Sequence, residues 1–194
     1  MNKQTKQEIL RLYKTFQEED STKENRLDRW RNLEPESAEL LSTIVKTQQF
    51  RNLLEIGTSN GFSTLWLADA ALSTAGKLTT LEIDATRTAK AREHLAQFDL
   101  LSPVTLLTLD AKAFLETADP VFDFIFLDAQ RSYYTSYWPD LKRLLQTPNS
   151  LLIVDNAVSH HDQVSDFIAL IQREGVYTTH VDPVGAGLLF VSKK

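Results

Sequence analysis

From residue 51 onward, short apolar runs alternate with longer amphipathic stretches. Five runs have strand length: Asn52–Ile56, Lys77–Ile83, Val104–Leu109, Phe122–Leu127 (interrupted only by Asp123) and Leu151–Val154. Between and after them, helical patterns cover Phe62–Ala75, about Arg87–Phe98, Ala111–Thr117, Tyr134–Leu145 and Gln163–Arg173. Two last strands, Tyr177–Val181 and Leu188–Ser192, flank Pro183, Gly185 and Gly187 with no helix between them, which predicts a hairpin and one antiparallel strand. Strand–helix alternation implies right-handed crossovers. The expected fold is α/β: a doubly wound, mostly parallel sheet of seven strands.

The first fifty residues read as a helical prelude to that core, within a single domain spanning 1–194. Residues 2–20 place Ile9, Tyr13 and Phe16 on one face at helical spacing. This amphipathic helix, centred on Lys6–Glu18, needs a surface to dock on. Its apolar face is exposed unless it packs on the sheet domain or on a partner, and an exposed face of that kind marks an interface, so a homodimer is expected. In residues 21–34, Leu27, Trp30 and the Arg26/Arg29 pair suggest a helical turn. Pro35 breaks the pattern, and Glu36–Thr47 reads as a further helix with Leu40, Leu41, Ile44 and Val45 inward.

Composition narrows the function classes. The 194 residues contain no cysteine, which removes disulfides, thiol catalysis and thiolate metal sites. No apolar run has the length of a membrane span, and MNKQTKQEIL lacks the apolar core of a signal peptide. A cytoplasmic enzyme without a membrane partner is the simple expectation. The net charge of −5 provides no electrostatic footprint for nucleic acid.

Candidate chemistry concentrates at the strand ends. LLEIGTSNG (Leu53–Gly61) is a strand, a glycine turn and a helix start. Its glycines permit a tight turn and close approach of a ligand, and the helix start offers free N–H groups. The spacing is Gly-x-x-x-Gly, which departs from the dinucleotide fingerprint. Acidic or amide side chains sit at the end of every one of the first five strands: Glu55, Glu82 and Asp84, Asp110, Asp128, then Asp155 with Asn156. The carboxyl ends of parallel strands meet one crevice in this architecture. A single such residue is commonly a turn former or helix cap; five in succession suggest a ligand site. Glu82 fits a ribose diol. Asp110 suits an adenine amino group or the cap of Ala111–Thr117. Asp128, Asp155 and Asn156 offer hard oxygen donors suited to Mg²⁺, Mn²⁺ or Ca²⁺.

LEIGTSNGFSTLWLA, TLEID, LDA, FIFLDAQRSYY and LLIVDNA occur in an order and spacing that resemble the metal-dependent O-methyltransferases, the catechol and caffeoyl-coenzyme A type, over roughly residues 35–194. The resemblance implies a Rossmann-like class I methyltransferase. Its cofactor would be S-adenosyl-L-methionine, contacted by Glu55, Gly57, Thr58, Ser59, Gly61, Ser63, Glu82, Ile83, Asp110, Ala111 and Asp128. It also implies a divalent cation, Mg²⁺ first, on Asp128, Asp155 and Asn156. The acceptor would be a hydroxyl of a small, aromatic or catechol-like molecule, with Asp128 and Arg131 as catalytic residues.

One position departs from the family pattern. A lysine usually stands three residues after the first metal aspartate, and Arg131 occupies that place here. Arginine cannot accept a proton but can hold an anionic oxygen. His160 and His161 are alternative bases, or solvent-facing and capping residues. Tyr133, Tyr134, Tyr137 and Trp138 could wall an aromatic substrate or pack their helix, and Trp66 is expected to pack its own. Rival readings are a methyltransferase acting on another acceptor, such as a modified tRNA base, a cofactor-binding protein with lost catalysis, and a nicotinamide dehydrogenase, which the glycine spacing disfavours.

Overall fold

The computed structural model describes residues 1–119, 122–145, 147 and 149–194. Strands β1 (Asn52–Ile56), β2 (Lys77–Glu82), β3 (Val104–Thr108), β4 (Phe124–Leu127), β5 (Leu151–Val154), β6 (Tyr177–Asp182) and β7 (Leu188–Lys193) form one sheet in the order β3-β2-β1-β4-β5-β7-β6. β1 to β5 are mutually parallel, while β7 runs antiparallel to both β5 and β6. The expected C-terminal hairpin is present. The helices are α1 (Lys3–Ser21), α2 (Pro35–Gln48), α3 (Phe62–Ser73), α4 (Ala85–Gln97), α5 (Ala111–Thr117), α6 (Tyr134–Leu144) and α7 (His161–Arg173).

The chain winds from β1 out to β3 and then returns to place β4 on the other side of β1, so the direction of winding reverses there. In such sheets the reversal opens a crevice above the strand ends. Strand alternation divides the core into two layers. Leu53, Phe124, Phe126 and Ile153 face α1 to α4; Leu54, Ile56, Ile125, Leu127, Leu152 and Val154 face α5 to α7. Covered on both faces, β4 and β5 are continuously apolar, while β1 carries one buried acid, Glu55. β4 begins two residues later than the apolar run suggests. Asp123 leaves the run because its Oδ2 accepts from the N–H groups of both Arg51 and Asn52, each at 2.9 Å. α4 begins at Ala85 because Asp84 caps it, accepting from Thr86 N at 2.7 Å.

α3 is buried on nearly all sides, Trp66 included. α1 docks on this layer within the same chain. Ile9 and Phe16 are buried, the Tyr13 ring lies 4.8 Å from Phe62, and Phe16 lies 5.0 Å from His94. The face on which a homodimer was expected is therefore covered intramolecularly and provides no argument for one.

Residues 22–34 are not the helical turn suggested by Leu27 and Trp30. Only Arg26–Asp28 forms one 3-10 turn, and Arg29 returns to extended backbone. Asp20 explains the change: its two carboxylate oxygens accept from Trp30 N at 2.7 Å and Arg31 N at 3.0 Å, and Arg31 takes φ +54°. The segment becomes a strap along the crevice. Among the described residues, no helix is long and apolar enough to cross a membrane.

Candidate active site

Strand register places the site residues in a row. Ile56 pairs with Leu81 on β2 and Leu127 on β4, and Leu127 pairs with Val154 on β5. The residues just beyond, Gly57, Asp128 and Asp155, are therefore neighbours at roughly the 4.8 Å spacing of strands. Gly57 N and Thr58 N both donate to Leu81 O, at 3.0 and 3.1 Å, folding the turn over β2. Gly57 has φ +108°, and an added Cβ would collide with the backbone carbonyl of Asp128. Ser59, also left-handed at φ +51°, is held by Ser59 N donating to Glu82 Oε2 at 2.8 Å.

Four residues expected at the cofactor lie off the crevice wall. Glu55 is fully buried, because strand alternation turns its side chain under the start of α3. Its carboxylate accepts from Ser63 Oγ, Thr64 Oγ1 and Thr80 Oγ1, each at 2.6 Å. Burial pushes its pKa up to about 7 against the pull of those three hydroxyls. Ser63 is thus committed to Glu55. Thr58 is buried with its Oγ1 2.6 Å from that of Thr80, and Gly61 caps α3 against Ala91. Glu55, Thr58, Gly61 and Ser63 shape the loop from beneath instead of lining the site.

The crevice encloses about 940 Å³. Its β1–β3 end is lined by Gly57, Ser59, Glu82, Ile83, Asp110 and Ala111, as expected, and by Leu109, Tyr133 and Tyr137. Ile83 is 71% exposed, so its side chain is open to a ligand. Glu82 Oε1 accepts from Asp84 N at 3.0 Å, which leaves lone pairs on both oxygens. Asp110 caps α5, its Oδ1 accepting from Ala113 N at 3.1 Å, and it also lines the crevice. Tyr133 and Tyr137 stack at 6.1 Å on this wall, whereas Tyr134 and Trp138 are buried packing residues.

At the β4–β5 end the floor is Asp128, Asp155 and Asn156. Asn156 has φ +67°, a conformation asparagine tolerates, and its Nδ2 donates to Asp155 Oδ2 at 2.7 Å and Asp128 Oδ1 at 3.4 Å. Asp155 Oδ1 is buried without a partner. Burial, followed by the neighbouring charges of Glu55 and Asp128 respectively, pushes Asp128 up to about 7 and Asp155 up to about 8. Among the described residues, no three His, Cys, Asp or Glu side chains cluster as metal ligands. Two facing carboxylates, an orphaned oxygen and an adjacent amide nevertheless match the donor set of a hard divalent cation. The amide would have to present Oδ1 where Nδ2 now points.

Arg131 lies at the rim, its Nε donating to Gln163 Oε1 at 2.7 Å. His160 lines the crevice, whereas His161 starts α7 outside it. Three contributors escaped the sequence reading: Arg31, Glu34 and Arg87. Arg87 ties the strap to the glycine loop, donating to Ser59 Oγ at 3.0 Å and to the carbonyls of Leu27 and Arg29, both at 2.9 Å. Its guanidinium also covers the Trp30 ring at 5.4 Å. The strap has no periodicity that would have placed it there.

A family model described as O-methyltransferase matches residues 10–172. The catechol O-methyltransferase of Niastella koreensis is 36% identical over 132 residues, covering 66% of this chain and 58% of that protein. The catechol O-methyltransferase of Mycobacterium tuberculosis is 34% identical over 111 residues, 57% of this chain and 50% of that one. The chain thus spans little more than half the length of these curated relatives. The O-methyltransferase from Bacillus cereus, solved in complex with SAH, superposes with a TM-score of 0.79 at 26% identity, covering 100% of this chain and 92% of that one.

Proposed function

The chain belongs to the O-methyltransferase family, and from that premise we propose that it transfers a methyl group from S-adenosylmethionine to a hydroxyl of a small aromatic acceptor. The observation that carries the reading is the adjacency of two seats across one strand pair. The glycine turn and Glu82 suit a nucleoside with a ribose diol, and the carboxylate floor one strand away suits a hydroxyl oxygen. The Bacillus cereus protein holds SAH on the same fold, which supports this choice of cofactor.

Glu82 accepts from the ribose hydroxyls while its backbone bonds keep the carboxylate aimed. Asp110 accepts from the adenine amino group, with Ile83 and Leu109 against the ring. Ser59 N–H is already engaged by Glu82, so the loop fixes the ligand by shape more than by free donors. The reaction is an in-line displacement at a sulfonium methyl, and the chain's main contribution is to align the two reactants and exclude water. A phenolic hydroxyl is mostly protonated at neutral pH. Asp128, Asp155 and Asn156 would hold a divalent cation, which when bound lowers the pKa of a coordinated hydroxyl. Arg131 places a permanent positive charge where the acceptor oxygen becomes anionic; already protonated, it cannot accept the hydroxyl proton, and it orients and stabilises without acting as base.

The test is transfer of labelled methyl to a catechol panel, with and without a chelator, alongside calorimetric binding of S-adenosylmethionine. Turnover lost in the chelator and in Asp155→Ala, with cofactor binding retained, is the expected result. Full turnover in the chelator removes the cation. Binding of NAD in place of S-adenosylmethionine removes the methyltransferase reading altogether.

A further inference from the structure

Methyl transfer to a hydroxyl releases a proton, and some group in the crevice has to receive it. We propose that this group is Glu34, the residue at the N-cap of α2. The proton's origin rests on the methyl transfer proposed above; the seat of the carboxylate rests on the side chains alone.

The other groups at the β4–β5 end are engaged. Arg131 is already protonated and cannot accept. His160 accepts from Arg26 at Nε2, 2.9 Å, and its Nδ1 lies 2.8 Å from Ser159 Oγ. Asp128 and Asp155 are bridged by Asn156 and form the floor assigned to the cation. Glu34 lines the same crevice but stands outside that donor set, since among the described residues no three His, Cys, Asp or Glu side chains cluster as metal ligands. Its charge nevertheless reaches the floor, where it is one of the causes that raise both Asp128 and Asp155. Among the described residues, no cationic side chain comes within 4.0 Å of it.

The carboxylate is placed by construction yet held lightly. Pro35 opens α2 and Glu34 remains in extended backbone, its side chain making no capping bond to the helix. Oε2 accepts from Ala186 N at 3.3 Å, long for such a bond, and among the described residues Oε1 has no donor. Ala186 belongs to the β6–β7 turn, and its carbonyl accepts from Val158 N at 3.1 Å and Ser159 N at 2.9 Å. One residue therefore ties Glu34 to the segment that leaves Asn156. Gly185 makes room for the arrangement: a Cβ there would collide with Glu34 Oε2 and Ser37 Oγ. Ser37 Oγ is buried without a partner, so a spare hydroxyl sits beside the carboxylate. One long backbone bond, one open oxygen and no counter-ion leave Glu34 the lone pairs that a proton acceptor needs.

The step balances. The hydroxyl O–H bond breaks and its proton joins Glu34. The electron pair on oxygen forms the bond to the methyl carbon while the S–CH3 pair returns to sulfur. A methyl ether, S-adenosylhomocysteine and a neutral Glu34 result, and the acid then gives its proton to solvent.

The experiment compares kcat of the full-length protein at neutral pH for catechol and for 4-nitrocatechol, whose nitro group makes a hydroxyl far more acidic. An acceptor that is already ionised needs no base. Glu34→Gln should lower kcat on catechol by about 10²-fold, the low end for general acid–base catalysis, and leave kcat on 4-nitrocatechol close to that of the unaltered protein. Glu34→Asp, a carboxylate one methylene shorter, should return part of the catechol rate. Glutamine keeps the side-chain length and an acceptor for Ala186 N, and turnover of 4-nitrocatechol reports that the variant is folded. Undiminished kcat on catechol, or an equal loss on both acceptors, overturns the inference and leaves methyl transfer standing. Methylation of neither acceptor by the unaltered protein overturns both.

Discussion

His160 Nε2 accepts a hydrogen bond from Arg26 Nη2 at 2.9 Å, joining two residues 134 positions apart. Because arginine can only donate, the bond fixes the imidazole tautomer: Nδ1 carries the proton and meets Ser159 Oγ at 2.8 Å. Ser159 Oγ in turn donates to Asn156 Oδ1 at 3.3 Å. A line of polar contacts thus runs from the strap to the carboxylate floor. It also occupies both nitrogens of the histidine that the sequence offered as a base.

The first prediction concerns that histidine. Burial and the charges of Arg131 and Arg26 hold its pKa below the ordinary value. Arg26→Ala removes one of these causes and frees Nε2, so the titration midpoint should move up. NMR titration of the imidazole resonances reads this directly, and an unmoved midpoint would show that Arg26 does not reach it in solution.

Glu82→Ala should weaken S-adenosylmethionine binding by about 1.5–3 kcal/mol, the range for a hydrogen bond to a charged group. The carboxylate also accepts from Ser59 N and Asp84 N, so the same change loosens the glycine turn. Glu82→Gln separates the roles: one amide oxygen can still take one backbone N–H. Calorimetry showing wild-type affinity in both variants would take Glu82 out of the site.

The carboxylate pair predicts a pH dependence of stability. Asp128 at about 7 and Asp155 at about 8 lie above the ordinary 3.8, with burial as the first cause. In the unfolded chain both groups titrate near 3.8, so between about pH 4 and pH 8 the folded protein binds more protons and stability falls as pH rises. Cation-free protein should therefore melt lower at about pH 8 than at about pH 5. Asp128→Asn should flatten the fall, and magnesium should oppose it at the alkaline end. A melting temperature in chelator that rises across this window would contradict the assignment.

Gly57→Ala is expected to abolish binding and to lower stability by more than about 3 kcal/mol, since strain at φ +108° adds to a collision with rigid backbone. Gly175→Ala is the control: its φ is +70°, yet a Cβ there meets nothing within 4 Å, so only the conformational cost remains. Equal losses in the two variants, measured by chemical denaturation, would remove the steric argument.

The parallel core was legible because its signals are local and redundant. Apolar runs such as LLEI and FIFL are long enough to place strands, and the acids following them fall at the sheet's carboxyl edge by topology alone. Glu55 pairs with Thr80 and lies short of the strand end, buried under α3, whereas Glu82, two positions farther along on the same face, borders the crevice; the sequence pattern does not show where the cover of α3 stops. The strap was illegible for a different reason. Its conformation is set by Asp20, Ser59 and Arg87, contacts that span 10 to 60 residues, and no periodicity within 22–34 encodes them. The apolar face of α1 was legible from its spacing, but whether it docks on the sheet layer or on a partner depends on contacts with Phe62 and His94 that no local pattern encodes.

The crowding of Gly57 against the Asp128 carbonyl has a mechanical consequence. The two reactant seats meet at a seam of main chain in which not even a methyl group can be accommodated. The stroke length of the proposed reaction is therefore a ruler cut into adjacent strands, indifferent to which side chains decorate the rim. Residues 22–33 touch the glycine loop through only a few side-chain bonds. They behave as a replaceable faceplate: exchanging them should change which molecules are admitted while the calibration beneath stays the same.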